Sequence, residues 1–231
     1  MIHVERVSKA FGKLAVLRDV TLQIQPGERI ALIGANGSGK TTLLRALLGL
    51  LRVSGRITID GFDVATTPHH ALRRLAYIPQ IAPPLEAPVA EVTRAIATLR
   101  GIPLAAVAER ANRLGLELGA LGETRFRDLS GGMKQKLLAA LALAAVPRVI
   151  VCDEPTANLD AAARRSFFEQ LAEGPPDRIS ILSSHRIEEV TALVDRIVEL
   201  EDGRVRRDFT LHEESEAARD SELTRHLGEA R

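Results

Sequence analysis

The order of hydrophobic and polar residues predicts strands near the start of the chain. Val20, Leu22 and Ile24 alternate with polar residues, which is the period-two pattern of a half-buried strand. Segments 1–7 and 55–61 are also strand-like, and Pro26-Gly27-Glu28 marks a turn. We therefore expect an N-terminal antiparallel β subdomain.

Further along, short apolar runs predict buried strands separated by helices. The strand segments are 29–33, 148–152, 179–183 and 196–200. The helical segments are 42–51, 90–100, 104–114 and the apolar run 137–146. Buried strands that alternate with helices are typical of an α/β protein with a mainly parallel sheet. The alanine- and leucine-rich region at about 85–128 is predicted to form a helical lobe inserted into this core.

The last part of the chain has a different pattern. After Arg204 the residues are mostly polar, and Leu211, Leu223 and Leu227 are too sparse to form a core face. We expect one domain over residues 1–205 and a polar tail or frayed helix over 206–231. A helix that binds a partner is the alternative for this segment.

Composition excludes several classes of protein. The net charge of +1 and the aromatic content of 3% argue against a nucleic-acid partner. Cys152 is the only cysteine, which excludes a disulfide within the chain and is compatible with a reducing compartment. No secretory signal is expected, and the run 137–146 is too short to span a bilayer. Any membrane association is therefore expected to come through a partner.

A glycine-rich loop is the first sign of chemistry. Gly34-x-x-x-x-Gly39-Lys40-Thr41 follows a predicted strand and precedes a predicted helix, the setting that a phosphate-binding loop requires. Its backbone N–H groups would face phosphate oxygens, Lys40 would reach the β- and γ-phosphates, and Thr41 would bind Mg²⁺. The candidate nucleotide-binding residues here are Gly34, Asn36, Gly37, Ser38, Gly39, Lys40, Thr41 and Thr42. The loop alone does not separate a transporter ATPase from a GTPase, a kinase or a motor.

Two acids end the apolar strand at 148–152. Asp153 is placed to hold Mg²⁺, and Glu154 is placed to act as the general base that activates water. The alternative is a strand end that simply meets solvent, where acidic residues are common.

The segment Leu129-Ser130-Gly131-Gly132-Met133-Lys134-Gln135-Lys136 resembles the signature motif of ATP-binding cassette (ABC) ATPases. The resemblance covers roughly residues 1–205, with the motifs in the family's order. It implies that Ser130, Gly131 and Gly132 contact the γ-phosphate bound by an opposite subunit. The same residues could simply cap a helix that starts near Met133, and such a cap is also an anion site.

Other positions match the family's remaining motifs. Gln80 resembles the glutamine that touches Mg²⁺ and links to the helical lobe, and His185 resembles the histidine that contacts the γ-phosphate. Asn158-Leu159-Asp160 resembles the loop that communicates across the dimer, with an Asx turn or a helix cap as the alternative for Asp160. Phe11 is similar to the aromatic residue that stacks on adenine, with a core phenylalanine as the alternative.

The resemblance implies an α/β P-loop NTPase fold and the ATPase subunit of an ABC transporter. The implied cofactors are ATP and Mg²⁺, and the implied partners are a second cassette, as a homodimer, and an integral membrane permease. The implied location is cytoplasmic, on the inner face of the plasma membrane. Gly-Met-Lys-Gln at 132–135 resembles cassettes of ABC-2-type exporters. A soluble single-cassette ATPase for iron–sulfur cluster assembly is the alternative, and Glu154 and His185 together disfavour a sensor that does not hydrolyse nucleotide.

Two apolar residues after Gln80 have no periodic role in a core. Ile81 and Leu85 are predicted to help form a groove for a short helix of the membrane subunit. The alternative is that both pack beneath their own loop.

Overall fold

The structure is a computed structural model that describes residues 1–184 and 191–211. Its contacts divide the chain into two units. The first unit comprises residues 1–75 and the described residues from 177 onward, and the second comprises 76–176. Within these described ranges, no helix has the length and apolar character needed to cross a membrane.

The first unit contains seven elements before residue 75 and three strands after residue 177. They are β1 (Ile2–Phe11), β2 (Leu14–Ile24), β3 (Arg29–Ile33), α1 (Lys40–Leu47), β4 (Ser54–Ile59), β5 (Phe62–Asp63), α2 (Pro68–Leu72), β8 (Ile179–Ser183), β9 (Arg196–Glu201) and β10 (Arg204–Thr210). A short 3-10 helix, Thr191–Leu193, precedes β9.

An antiparallel sheet in the order β2-β1-β4-β5 forms the start of the first unit. The alternating residues Val20, Leu22 and Ile24 are buried, and their β2 strand pairs with β1. The predicted N-terminal antiparallel β subdomain is therefore confirmed, because alternation places one face of these strands in the core.

A parallel core completes the first unit. β3 pairs in parallel with both β8 and β9, and residues Ile30, Ala31 and Leu32 of β3 are buried. A strand that is covered on both faces carries an uninterrupted apolar run, which is how the sequence identified it. The helix after β3 begins and ends earlier than predicted: α1 covers Lys40–Leu47, not 42–51.

Strand β10 corrects the prediction of a polar tail that begins at residue 206. Residues 206–210 belong to a strand that pairs antiparallel with β9. Ion pairs join the two strands: Arg196–Asp208, Arg206–Glu201 and Arg207–Glu199. Cross-strand ion pairs support this hairpin. The sequence of β10 is therefore mostly charged and lacks the apolar alternation by which strands are usually recognised. Residues 212–231, the rest of the predicted tail, lie outside the described residues.

The second unit holds the remaining elements. They are β6 (Leu75–Ile78), α3 (Val89–Arg100), α4 (Leu104–Arg113), α5 (Leu118–Leu121), a 3-10 turn (Phe126–Asp128), α6 (Gly131–Ala144), β7 (Val149–Asp153) and α7 (Ala161–Ala172). β6 and β7 are neighbours in a sheet. The predicted helices at 90–100 and 104–114 agree with α3 and α4 to within one residue.

The apolar run 137–146 lies mainly in α6. Leu137 and residues 139–143 are buried, so this run is a core helix, as predicted from its length. Within the same unit, Arg110 and Arg113 of α4 donate to Glu173 at the end of α7. Their guanidinium groups lower the pKa of Glu173 to about 2, so this carboxylate stays charged.

Candidate functional site

The glycine-rich loop connects β3 to α1 within the first unit. Position 34 requires glycine for two reasons. Its φ is +142°, and a Cβ atom there would lie 2.2 Å from the carbonyl oxygen of Leu200. Asn36 and Gly37 are exposed at the tip of the loop, and Gly39 is the N-cap of α1. Because Gly34 lies so close to the Leu200 backbone, the loop can adopt the tight turn that a phosphate-binding loop needs.

Lys40 folds back over this loop. Its Nζ donates to the carbonyl oxygens of Gly34 at 2.7 Å and of Ala35 at 3.1 Å. The residue is buried, so its charge lies at the loop and not in bulk solvent. Thr41 and Thr42 are half-buried in the first turn of α1, which contains no acidic residue to neutralise the positive end of the helix.

The loop also contains a polar atom suited to a phosphate oxygen. The Ser38 side chain is buried, and its Oγ has no hydrogen-bond partner in residues 1–184 and 191–211. A buried hydroxyl without a partner costs free energy that a ligand can recover. Together with the Lys40 ammonium and the α1 N-terminus, this hydroxyl fits an anionic ligand such as a phosphate.

The acid pair ends a strand that is buried throughout. Every residue of β7 from Val149 to Asp153 is buried, and Glu154 follows with little exposure. Glu154 has φ +48°, a left-handed conformation that is uncommon outside glycine and persists only where neighbouring structure enforces it. The site therefore holds Glu154 in a defined position at the end of β7. Carboxylate oxygens at such an edge are also the donor type that Mg²⁺ prefers.

The predicted signature segment starts α6. Ser130 is the N-cap, and its Oγ accepts from the backbone N–H of Met133 at 3.2 Å. The helix begins at Gly131, two residues earlier than predicted. Ser130 and Gly131 are exposed, Gly132 is half-buried, and no acidic residue lies in the first turn. The helix cap and the anion site that the sequence offered as alternatives are thus the same piece of structure.

Phe11 and Gln80 are both accessible. Phe11 is the last residue of β1 and is 49% exposed, which excludes the core phenylalanine that the sequence left open. Lys9 Nζ lies 5.1 Å from its ring centroid. Gln80 is exposed in the segment after β6. His185, the predicted γ-phosphate ligand, lies outside the described residues.

Comparison with known proteins decides the family. The sequence profile of the ABC transporter family matches residues 17–157, more than half of the chain. The Nod factor export ATP-binding protein I of Cupriavidus metallidurans is 34% identical over 212 residues, which cover 88% of this chain and 69% of that protein. The chain belongs to the ABC transporter ATP-binding family. It is therefore an ABC cassette with the ATPase activity that defines the family.

Other relatives and structures agree with this assignment. The sulfate/thiosulfate import ATP-binding protein CysA of Yersinia pestis is 34% identical over 228 residues, which cover 88% of this chain and 59% of that protein. An ATP-binding subunit of an ABC transporter matches with a TM-score of 0.82 at 29% identity, over 99% of this chain and 93% of its own. A dimeric bacterial ABC transporter cassette matches with a TM-score of 0.77 at 26% identity, over 92% of this chain and all of its own. These matches confirm the α/β P-loop NTPase fold.

The Asp160 carboxylate forms hydrogen bonds with two groups of the cassette's second unit. It is the N-cap of α7, where its Oδ1 accepts from the backbone N–H of Ala163 at 2.9 Å. Lys136 of the signature segment donates to its Oδ2 at 2.9 Å. The Ala163 N–H and then the Lys136 ammonium lower the pKa of Asp160 to about 2. The helix-cap alternative therefore describes this side chain, and Lys136 is a contact that the sequence did not predict.

The hairpin turn Asp202-Gly203 is a second feature that sequence reasoning missed. The Gly203 N–H donates to the carbonyl oxygen of Ser38 at 3.2 Å, and the Gly203 carbonyl accepts from the N–H of Arg18 at 2.8 Å. A Cβ atom at Gly203 would lie 2.3 Å from the carbonyl oxygen of Val16. The Asp-Gly pair signals a tight turn, but its contact with the phosphate loop arises only in the folded chain.

Replacing Gly203 with alanine should weaken ATP binding. The new Cβ must push the turn away from Val16 and so disturb the contact at Ser38. We expect the Kd for ATP to rise about tenfold, equivalent to about 1.4 kcal/mol, in a calorimetric titration.

The chain offers a matched control at Gly61. The turn Asp60-Gly61 has the same two residue types and similar positive φ angles, but no atom lies within 4 Å of a Cβ at Gly61. Gly61→Ala should strain its turn to a similar degree and leave the Kd for ATP within about twofold of wild type. Equal changes in both variants would show that the contact with the loop has no role in binding.

Proposed function

We propose that the cassette powers a transporter in which two cassettes close on ATP and move a separate membrane subunit. The observation that carries this proposal is the exposed N-terminus of α6 at Ser130 and Gly131, where no acidic side chain neutralises the helix. This positive end suits the γ-phosphate of ATP held by a second copy of the chain. The match to a dimeric cassette supports the pairing.

ATP binding is assigned to groups of the first unit. Phe11 offers an exposed ring for stacking on adenine. The loop from Gly34 to Gly39 surrounds the phosphates, and the Lys40 ammonium compensates their charge. In this scheme Thr42 and Ser38 add hydroxyl contacts to phosphate oxygens, for which the buried Ser38 Oγ is already suited.

Hydrolysis is assigned to the acid pair with Gln80. Glu154 takes a proton from the attacking water, and its constrained backbone keeps the carboxylate in one place. Thr41, Gln80 and Asp153 are the residues that would hold Mg²⁺. When bound, this ion would neutralise negative charge that develops on the β- and γ-phosphates. His185 is proposed to contact the γ-phosphate, and Asp160 to signal across the dimer from the start of α7.

The proposed docking site for the membrane subunit follows Gln80. Ile81 is 78% exposed, which is contrary to packing beneath its own loop, and Leu85 is half-buried. The next residues are anchored, because Leu85 and Ala87 accept backbone hydrogen bonds from Arg127 and Phe126. A partner helix that displaces this segment would therefore also displace Phe126 and Arg127, which directly precede the signature segment. In this scheme the partner holds the cassette at the cytoplasmic face of a membrane.

Substituting aspartate for both Ile81 and Leu85 should separate the cassette from its membrane partner. The charges would oppose burial of an apolar helix in the groove, while the ATP-binding loop is untouched. We expect the partner that co-purifies with tagged wild-type protein to be lost and the basal ATPase rate to stay within about twofold.

Leu99→Asp is the matched control for this experiment. Leu99 is also an exposed apolar residue of the second unit, 83% accessible near the end of α3. This variant should retain the partner. A folded, active Ile81→Asp/Leu85→Asp protein that still binds the membrane subunit normally would place the groove elsewhere.

A further inference from the structure

Gln135 is a buried amide in the middle of the signature segment. It lies in the second turn of α6 and is 1% exposed. Its Nε2 donates to the carbonyl oxygen of Pro155 at 3.2 Å and to that of Pro79 at 3.4 Å. Burying an amide without hydrogen-bond partners costs free energy. Rotation of the Gln135 side chain would break both bonds, so they hold it in one orientation.

The two carbonyl groups belong to residues next to the proposed catalytic groups. Pro155 directly follows Glu154, and Pro79 directly precedes Gln80. The Pro79 carbonyl group belongs to the same planar peptide group as the N–H of Gln80. At Pro155 the ring fixes φ, which removes one of the rotations between the Pro155 carbonyl group and Glu154. One side chain therefore restrains the backbone beside both Glu154 and Gln80.

Glu154 needs such a restraint. Its left-handed φ of +48° is unfavourable for a residue with a side chain, and the following proline restricts it further. A conformation of this kind is maintained by contacts around it. The Gln135 bond to the Pro155 carbonyl is one such contact, made one residue from the strained position.

The same face of α6 contacts this loop at two more points. A Cβ atom at Gly132 would lie 2.8 Å from the carbonyl oxygen of Asn158, and Lys136 pairs with Asp160 at 2.9 Å. Residues 132, 135 and 136 are three and four positions apart, so they line one side of the helix. Of the three contacts, the one that Gln135 makes at Pro155 lies nearest in sequence to the proposed general base Glu154.

We propose that Gln135 is a positioning residue for ATP hydrolysis, holding the backbone at Pro155 and Pro79 so that Glu154 and Gln80 are correctly placed. It acts through these residues and touches neither ATP nor water. The inference rests on the proposed roles of Glu154 and Gln80. A signature helix that moves would then carry the backbone of the general base with it.

Gln135→Met tests the proposal, because methionine has a similar length but donates no hydrogen bond. Hydrolysis per bound ATP should fall about 10- to 100-fold, the usual effect of a small misplacement, while the Kd for ATP changes less than about twofold. The stoichiometry of ATP binding measures the fraction of the protein that is folded. Dividing the hydrolysis rate by it separates unfolding of the variant from a slower catalytic step.

Gln170→Met is the matched control. Gln170 of α7 is the second unit's other buried glutamine, also at 1% exposure. Its Nε2 donates to the carbonyl oxygen of Arg110 in α4 and to Ser166 Oγ, and neither partner adjoins Glu154 or Gln80 in sequence. It should lose stability as Gln135→Met does, yet hydrolyse at the wild-type rate per bound ATP. If both variants lose hydrolysis equally, Gln135 has only a structural role and the proposal fails.

A double variant separates positioning from damage. If Gln135 acts through Glu154, Gln135→Met should lower the single-turnover rate less than about threefold in a Glu154→Gln background, because the base is already absent. Rate losses that multiply would overturn the role of Gln135 in placing Glu154. Should Gln135→Met fail to fold, Gln135→Asn keeps a polar amide one methylene shorter and is judged by the same two criteria.

The outcomes also distinguish this inference from the proposed function. An inactive Glu154→Gln protein with a normal Gln135→Met protein overturns the positioning role alone. A Glu154→Gln protein with wild-type hydrolysis overturns the assignment of the base and this inference with it.

Discussion

Replacing Glu154 with glutamine should leave ATP binding intact and lower hydrolysis by about two to four orders of magnitude, the usual contribution of a general base. Glutamine keeps the shape of the side chain at the end of β7 but cannot accept the proton of the attacking water. Steady-state phosphate release and a parallel binding titration measure the two effects separately.

The Glu154→Gln protein should also accumulate as an ATP-bound dimer, because in the proposed scheme closed cassettes separate only after hydrolysis. Size-exclusion chromatography with light scattering, with and without ATP and Mg²⁺, reports the mass. Glu173→Gln is the control variant. It neutralises another carboxylate of the same unit, one that pairs with Arg110 and Arg113, and it should keep the wild-type turnover rate. A Glu154→Gln protein that stays monomeric at saturating ATP contradicts the formation of a homodimer.

Replacing Lys40 with alanine should abolish ATP binding and turnover together. The Nζ donates to the Gly34 and Ala35 carbonyl oxygens, so its positive charge lies at the loop that is proposed to surround the phosphates. Loss of charge-assisted hydrogen bonds to phosphate should raise the Kd for ATP about 100-fold or more.

Arg45→Ala is the control for Lys40. Arg45 is a cation of the same helix α1, but it is exposed to solvent. Its removal should change the Kd for ATP less than about twofold. Wild-type ATPase activity in Lys40→Ala would contradict the assignment of the phosphate loop.

Local signals made much of this cassette predictable. The apolar run of β3, the glycine pattern after it and the acid pair at the end of β7 each belong to one short segment of sequence. The same holds for the helix that Ser130 caps. Where a contact is made within a few residues, spacing and residue type are enough to predict it.

Contacts between distant segments were not predictable in this way. The Gly203 turn contacts the phosphate loop, which lies far away along the chain, through Ser38. Strand β10 was missed for a different reason: it is adjacent to β9 in sequence, but charged residues that pair with β9 take the place of a clear apolar pattern. The bonds of Gln135 join segments 20 and 56 residues away. A buried glutamine looks like any polar helix residue until the fold shows which carbonyl groups surround it. The exposure of Phe11 likewise required the structure.

Complementation between two inactive variants tests the shared ATP site most directly. Lys40→Ala lacks a working loop but keeps its signature. Gly131→Asp places a carboxylate where the γ-phosphate of the partner would bind, and a Cβ there meets only ordinary contacts at 3.8 Å, so the helix should still fold. In a mixed dimer, the loop of one variant faces the intact signature of the other.

The ATPase rate of an equal mixture of these two proteins is the decisive measurement. If the site is shared, random pairing gives about half mixed dimers, each with one complete site, and the mixture recovers about a quarter of the wild-type rate. If each subunit hydrolyses ATP with its own signature, neither protein has a complete site. The rate of the mixture would then equal the mean of the two variants measured alone, and the shared-site account would be contradicted.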